Sequence, residues 1–275
     1  MLKGIEPSRL VELAFFAPQW MELVREHLKW KGFNEAYYYF VAHTKESDSE
    51  AKRAQIALYT DLAPEELADG AFDARLFNEA FKLVGKKNFA LFYDAAKYMG
   101  SSNYHSRARR FADVTQGLIK ETELYEQIDK TRNKDALCAL GLVPLPKSKV
   151  DTALLKRYKR IQAFLKESKQ FGAQRQTSEK RTAEIALINL ARSAGYDDVI
   201  QLVWRMEGHL VADNKAMLDG LEADGYLIRI EIAADGTNKL IIEKDNKPLK
   251  SVPAKLKKNA VYLQVNQTHK DWTLQ

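Results

Sequence analysis

The stretch whose reading decides the fold is residues 152–195, "TALLKRYKRIQAFLKESKQFGAQRQTSEKRTAEIALINLARSAG". Its apolar residues recur at intervals of three and four, the spacing that lines up side chains on one face of an α-helix. Leu154, Tyr158, Ile161 and Leu165 make one stripe; Ala183, Ala186, Leu187, Leu190 and Ala194 make a second. Gly172 stands between them and is expected to end the first helix in the left-handed conformation, with Gly195 ending the second in the same way. Two amphipathic helices meeting at a corner need neighbours to bury their outer stripes, so a stacked array is expected. No fixed repeat period runs through the chain. The expected class is therefore mainly α: an irregular HEAT-like or α-solenoid array with one β-hairpin near the C-terminus.

Upstream, the first 222 residues read as successive helices broken at Gly, Pro and capping residues. Ser8 is expected to cap the first, Pro18 to open the second, and Gly32 to close it. "FNEAYYYFVAHT" follows, then "SDSEAKRAQIALYT", where Ser47 to Glu50 offer caps and carboxylates to a helix start. Pro64, Gly70 and Gly85 punctuate the next pieces, and "SRARRFADVTQGLIKETELYEQIDK" reads as one long helix. "GLVPLPKSKV", residues 141–150, makes a stiff connector. Three blocks are expected, 1–143, 144–222 with the Gly172 corner, and 223–275, with one continuous domain as the alternative. In the last, Ile228, Ile230 and Ile232 alternate, "ADGTN" turns, and Leu240 and Ile242 resume, as in a β-hairpin packed on helices. "AVYLQVNQTHKDWTLQ" starts a terminal helix without a closing signal, so the chain is expected to be a piece of a longer protein.

With 275 residues and 45% hydrophobic content the chain can bury a sizeable core. It holds no run of eighteen apolar residues, and its start is interrupted by charges and two prolines, so no membrane span or signal peptide is expected and the expected location is the cytoplasm. A single cysteine, Cys138, excludes an internal disulfide and a multi-cysteine zinc site. The net charge of +6 is concentrated in the middle: residues 101–190 carry 18 Lys and Arg against 10 Asp and Glu. Such an excess draws phosphates, acidic proteins or nucleic acid, or else forms a solvated helix face.

The motifs of several large enzyme classes are missing. "LVGKKN" lacks the earlier glycine and the hydroxyl of a phosphate loop, no G-x-G-x-x-G follows a strand, and no G-x-S-x-G elbow occurs. His27, His43, His105, His209 and His269 are scattered, so neither a metal nor a cofactor is expected. In "GSSNYHSRARR", Ser101, Ser102, His105, Arg107, Arg109 and Arg110 can form a Ser/His pair or an anion pocket, and the serines also serve as ordinary caps. Cys138 reads as buried filler, and "YYYF" at 37–40 reads as core more readily than as a stacking platform.

The basic cluster is the candidate site: Lys156, Arg157, Lys159, Arg160, Lys166, Lys169, Gln174, Arg175, Lys180 and Arg181. These residue types contact phosphates and base edges, and a long basic helix face can track a nucleic-acid backbone. Against this, Glu167, Glu179 and Glu184 are interleaved and can pair along the helix.

Five strings, "LFYDAAKYMGSSNYHSRARRFADVTQG", "RNKDALCALGLVPLP", "FLKESKQFGAQRQTSEKR", "NLARSAGYDDVIQLVWRME" and "KPLKSVPAKLKK", resemble a family of very large bacterial proteins, the molybdate-metabolism-regulator-like (MolR-like) proteins. The resemblance implies a mostly helical, partly HEAT-like, cytoplasmic protein, sometimes encoded near MoxR-type ATPases and von Willebrand A-type proteins, and it carries over no catalytic residue. The expected function is a non-enzymatic scaffold or adaptor for protein partners. The alternative is a nucleic-acid-binding module using the face 156–181, and a third reading is part of a larger enzyme with a site near Ser102 and His105.

Overall fold

Helix-period stripes become helices, some started by a proline or a capping side chain and others without either. The computed structural model describes residues 2, 4–44, 49–99, 105–233 and 236–273. The chain divides into two units, 1–203 and 204–275. Within the first, α1 (Pro7–Phe16) starts on Pro7 with Glu6, not Ser8, at the cap position. Pro18 opens a 3-10 turn that leads into α2 (Met21–Leu28). Then come α3 (Phe33–Ala42), α4 (Glu50–Ile56) capped by Ser49, and α5 (Pro64–Asp69). Ser47 lies outside the described residues. Asp73 caps α6 (Ala74–Ala95), which kinks at Gly85 (φ 76°, ψ 156°) where punctuation was expected.

The long helix expected from residue 106 is two: α7 (Ser106–Thr115) and α8 (Glu121–Thr131). The break falls at Gly117, whose φ of 73° lies outside helical space. Asn133 caps α9 (Lys134–Leu140). After the proline connector come α10 (Val150–Ser168) and α11 (Ala173–Ser193), the pair predicted from the stripes. The helix α12 (Val199–Asp213) follows, and the division between the two units falls within it.

The core of the first unit is aromatic. The Phe15 and Tyr37 rings stack at 4.9 Å, while Phe92 meets Phe33 edge-on at 5.0 Å. Tyr39 is fully buried among Phe72, Phe77 and Phe89, and its hydroxyl donates to the Ala108 carbonyl at 2.8 Å. "YYYF" is thus core, with its polar end satisfied. Asn189, fully buried on α11, ties three segments together. Its Oδ1 accepts from the Phe72 N–H (2.9 Å), and its Nδ2 donates to the carbonyls of Gly70 (3.0 Å) and Cys138 (3.1 Å).

The expected boundary at 143/144 falls inside this unit. Arg157 on α10 donates to the carbonyls of Val143 (2.6 Å) and Pro144 (3.3 Å), fastening the connector to the helix after it. The expected boundary at 222/223 falls inside the second unit, because Met217 on α13 (Lys215–Asp219) packs into the same core as the sheet.

That sheet is larger than a hairpin. It is an antiparallel meander, β1 (Leu221–Ala223), β2 (Tyr226–Ile232), β3 (Asn238–Lys244) and β4 (Lys247–Pro248), in sequential order. Ile228 pairs with Ile242 and Ile230 with Leu240, as the alternation predicts; Ile232, at the strand end, is exposed. Residues 234 and 235 of the expected turn lie outside the described residues. The helix α14 (Ala260–Thr273) covers the apolar face with Tyr262 and Val265. Among the described residues, no helix is long and apolar enough to cross a membrane.

Candidate functional site

The corner between α10 and α11 is built differently from expectation. Gly172 is extended (φ −67°, ψ 158°) and occupies the N-cap position of α11 instead of a left-handed helix end. Gly195, at φ 82°, is left-handed as expected. The turn that follows α10 is closed by a side chain: Gln176 Nε2 donates to the Phe171 carbonyl at 2.5 Å. The Arg175 guanidinium then lies 3.6 Å from the centre of the Phe171 ring, a cation on an aromatic face.

Around this corner the arginines face carboxylates. Glu179 is 1% exposed and accepts from Arg132 Nε (3.1 Å) and Nη2 (2.7 Å) and from Arg175 Nε (2.9 Å). Burial alone would raise this carboxyl, but the bonds from the two guanidinium groups outweigh it and hold its pKa below the usual value. Arg132 also reaches Glu167 (2.6 Å) and the Phe164 carbonyl (2.8 Å), and Arg160 bonds Asp129 (2.7 Å). Arg157, 1% exposed, donates to Glu121, which also takes Lys156 at 3.0 Å. Burial raises the Glu121 carboxyl; the Lys156 bond and the Arg157 charge prevail and lower it.

The ten predicted residues therefore do not form one open face. Arg157, Arg160 and Arg175 bind carboxylates of their own unit, and Lys156 lies at its rim. Lys159, Lys166, Lys169 and Lys180 are exposed. Gln174 and Arg181 turn to a different feature, a cleft of about 640 Å³ shared by α5, α7, α9 and α11.

At one edge of the cleft Arg107 is buried and rigidly held. Its Nε donates to Asp135 (3.2 Å) and its Nη1 to the Ala68 carbonyl (2.5 Å), closing the end of α5. On the α11 side Arg181 Nε donates to Asp69 at 2.6 Å, and Lys134 Nζ donates to the Ser178 hydroxyl at 2.5 Å. Cys138, buried as expected, borders the same space, its Sγ 3.9 Å from the Thr182 carbonyl.

The arginines of the expected anion pocket diverge. Arg107 goes to the cleft, Arg109 lies 4.2 Å over the Tyr93 ring, and Arg110 donates to Gln127 at 2.6 Å. The His105 pKa is lowered by burial and by Arg109. Ser101 and Ser102 lie outside the described residues.

Sequence reasoning missed Asn189 and His43. His43 is fully buried, with Nδ1 2.7 Å from the Tyr39 carbonyl and Nε2 accepting from the Asp73 N–H at 3.0 Å. Burial pushes its pKa down to about 4. A signal existed for Asn189, a polar residue set between Ala186 and Leu190 in an apolar stripe.

No curated protein and no solved structure matches the chain. Residues 2–206, well over half of the chain and taking in the corner and the cleft, match a family of unknown function, DUF5724, and the chain belongs to that family.

Proposed function

We propose that the chain is a non-enzymatic helical scaffold that binds protein partners. The observation that carries this reading is the segment joining α1 to α2, where Phe16, Trp20 and Leu23 are 75%, 48% and 41% exposed. Single exposed apolar residues are ordinary. Three large ones within eight residues of chain leave apolar area in water that a partner's apolar side chains would cover. The MolR-like resemblance supports the same reading and suggests the partners, a MoxR-type ATPase or a von Willebrand A-type protein. On this reading the helix pairs are an irregular HEAT-like array working in the cytoplasm.

The test is titration of the intact protein against each of those purified neighbours, with Phe16→Ser/Trp20→Ser alongside. The reading expects saturable binding to one of them, weakened about thirtyfold in the variant, as for a hot spot worth about 2 kcal/mol. No binding to any neighbour, or equal binding by the variant, would overturn it.

A nucleic-acid interface on 156–181 is the second reading, supported by the charge excess and the exposed Lys166, Lys169 and Lys180. The carboxylates on Arg157, Arg160 and Arg175 weaken the field it needs.

A further inference from the structure

We propose that the cleft bounded by α5, α9 and α11 binds a small phosphorylated polyol, a molecule of the sugar-phosphate class. The phosphate would sit on Lys134 and Ser178, and hydroxyls would meet Asp69 and Gln174. Three independent features of the cleft lead there: its size, the charge left unbalanced in it, and what its walls lack.

The volume of about 640 Å³ falls in the usual range for small-molecule sites, roughly 300–1,000 Å³. Three cations border it. Arg107 is more than nine-tenths buried and fixed by Asp135, and Arg181 is paired with Asp69. Lys134 differs: its bond goes to a neutral hydroxyl, so its ammonium charge has no carboxylate partner among the described residues. An ammonium beside a hydroxyl is a ready pair of donors for a phosphate oxygen. Gln174, Thr177 and Ser178 all lie in the first turns of α11, a helix of 21 residues, where the aligned peptide dipoles add positive potential.

The rest of the lining selects the remainder of the ligand. No aromatic ring lines the cleft among its described residues, so a nucleobase would find no stacking surface. The walls instead offer an amide, hydroxyls and a carboxylate, groups that exchange hydrogen bonds with a polyol. Asp69 commits one oxygen, Oδ2, to Arg181 and keeps the other for an incoming hydroxyl. The inference stands apart from the scaffold reading, since a chain that binds no partner can still hold this ligand.

The experiment is calorimetric titration of the whole chain with glucose 6-phosphate, inorganic phosphate, glucose and AMP. Lys134→Gln and Ser178→Ala are titrated in parallel, with thermal melts confirming that both variants fold. The expected result is saturable binding of glucose 6-phosphate, weaker binding of phosphate, none of glucose, and AMP no tighter than phosphate. Lys134→Gln should weaken glucose 6-phosphate about tenfold or more, from loss of a charge-assisted bond. Absence of heat with glucose 6-phosphate at millimolar concentration, unchanged affinity in both folded variants, or tighter binding of AMP would each overturn the proposal.

Discussion

Arg132, in left-handed backbone at the end of α8 (φ 49°), delivers two hydrogen bonds to the buried carboxylate of Glu179 on α11. The same guanidinium lies 4.0 Å from the centre of the Phe164 ring on α10. One side chain thus joins three helices, and the carboxylate it binds is also held by Arg175. Without Arg132 the buried carboxylate keeps only the half-exposed Arg175, and without Glu179 two guanidinium groups lose their shared partner. Glu179→Ala and Arg132→Met should each lose about 3–5 kcal/mol in urea unfolding, and the double variant clearly less than the sum. Simple addition of the two losses would show that the pair is not coupled.

His43 gives the fold an acid sensitivity. Its neutral ring donates from Nδ1 to the Tyr39 carbonyl and accepts at Nε2 from Asp73, so protonation breaks the second bond inside the core. The folded pKa is about 4 against 6.5 for the unconstrained side chain. Between those values the unfolded chain binds the extra proton, so the stabilisation is complete above pH 6.5 and is lost as pH falls towards 4. The loss should approach about 3 kcal/mol. His43→Gln, followed by urea midpoints from pH 4 to 7, should remove this step; an unchanged pH profile would mean that another group is responsible.

Two glycines should respond to alanine very differently. A Cβ on Gly141 would stand 2.6 Å from the Leu190 nitrogen and 3.0 Å from the Ala186 oxygen, both backbone atoms of α11 that cannot swing aside. Gly141→Ala should cost about 1–3 kcal/mol. A Cβ on Gly172 meets nothing within 4 Å, and its φ is negative. Gly172→Ala should stay within about 1 kcal/mol of neutral, the restriction of the unfolded chain being offset by alanine's poorer fit to an N-cap. A loss at Gly172 similar to that at Gly141 would contradict the extended N-cap geometry.

The helices α10 and α11 and the β2–β3 pairing were legible because each follows from a local period. Gly172 was misjudged because a glycine between two helices satisfies a left-handed helix end and an extended N-cap equally well. The strands β1 and β4 span three and two residues, too short for a period to register. Asp224–Gly225, with φ of 52° and 80°, was nevertheless a readable two-residue turn signal. The basic cluster was found, but its destinations were hidden. Arg160 is 31 residues from Asp129 in sequence and Arg181 is 112 from Asp69, distances at which only the folded chain makes partners of them.

If the corner arginines hold helices together, charge reversal there should be read first as instability. Arg160→Glu/Arg175→Glu sets acidic side chains against Asp129 and the buried Glu179. It should lower the urea midpoint, with a loss of about 3 kcal/mol or more from Glu179 alone. An unchanged midpoint would place these arginines outside the framework.

The most direct test of the account is fluorescence anisotropy of labelled random duplex DNA titrated with the intact protein at low and near-physiological salt. With the corner charges bound to the protein's own carboxylates, no saturable binding is expected at near-physiological salt. Tight binding that falls steeply with salt, and is abolished in a folded Lys166→Glu/Lys169→Glu/Lys180→Glu variant, would contradict it and make the face 156–181 a phosphate-tracking surface.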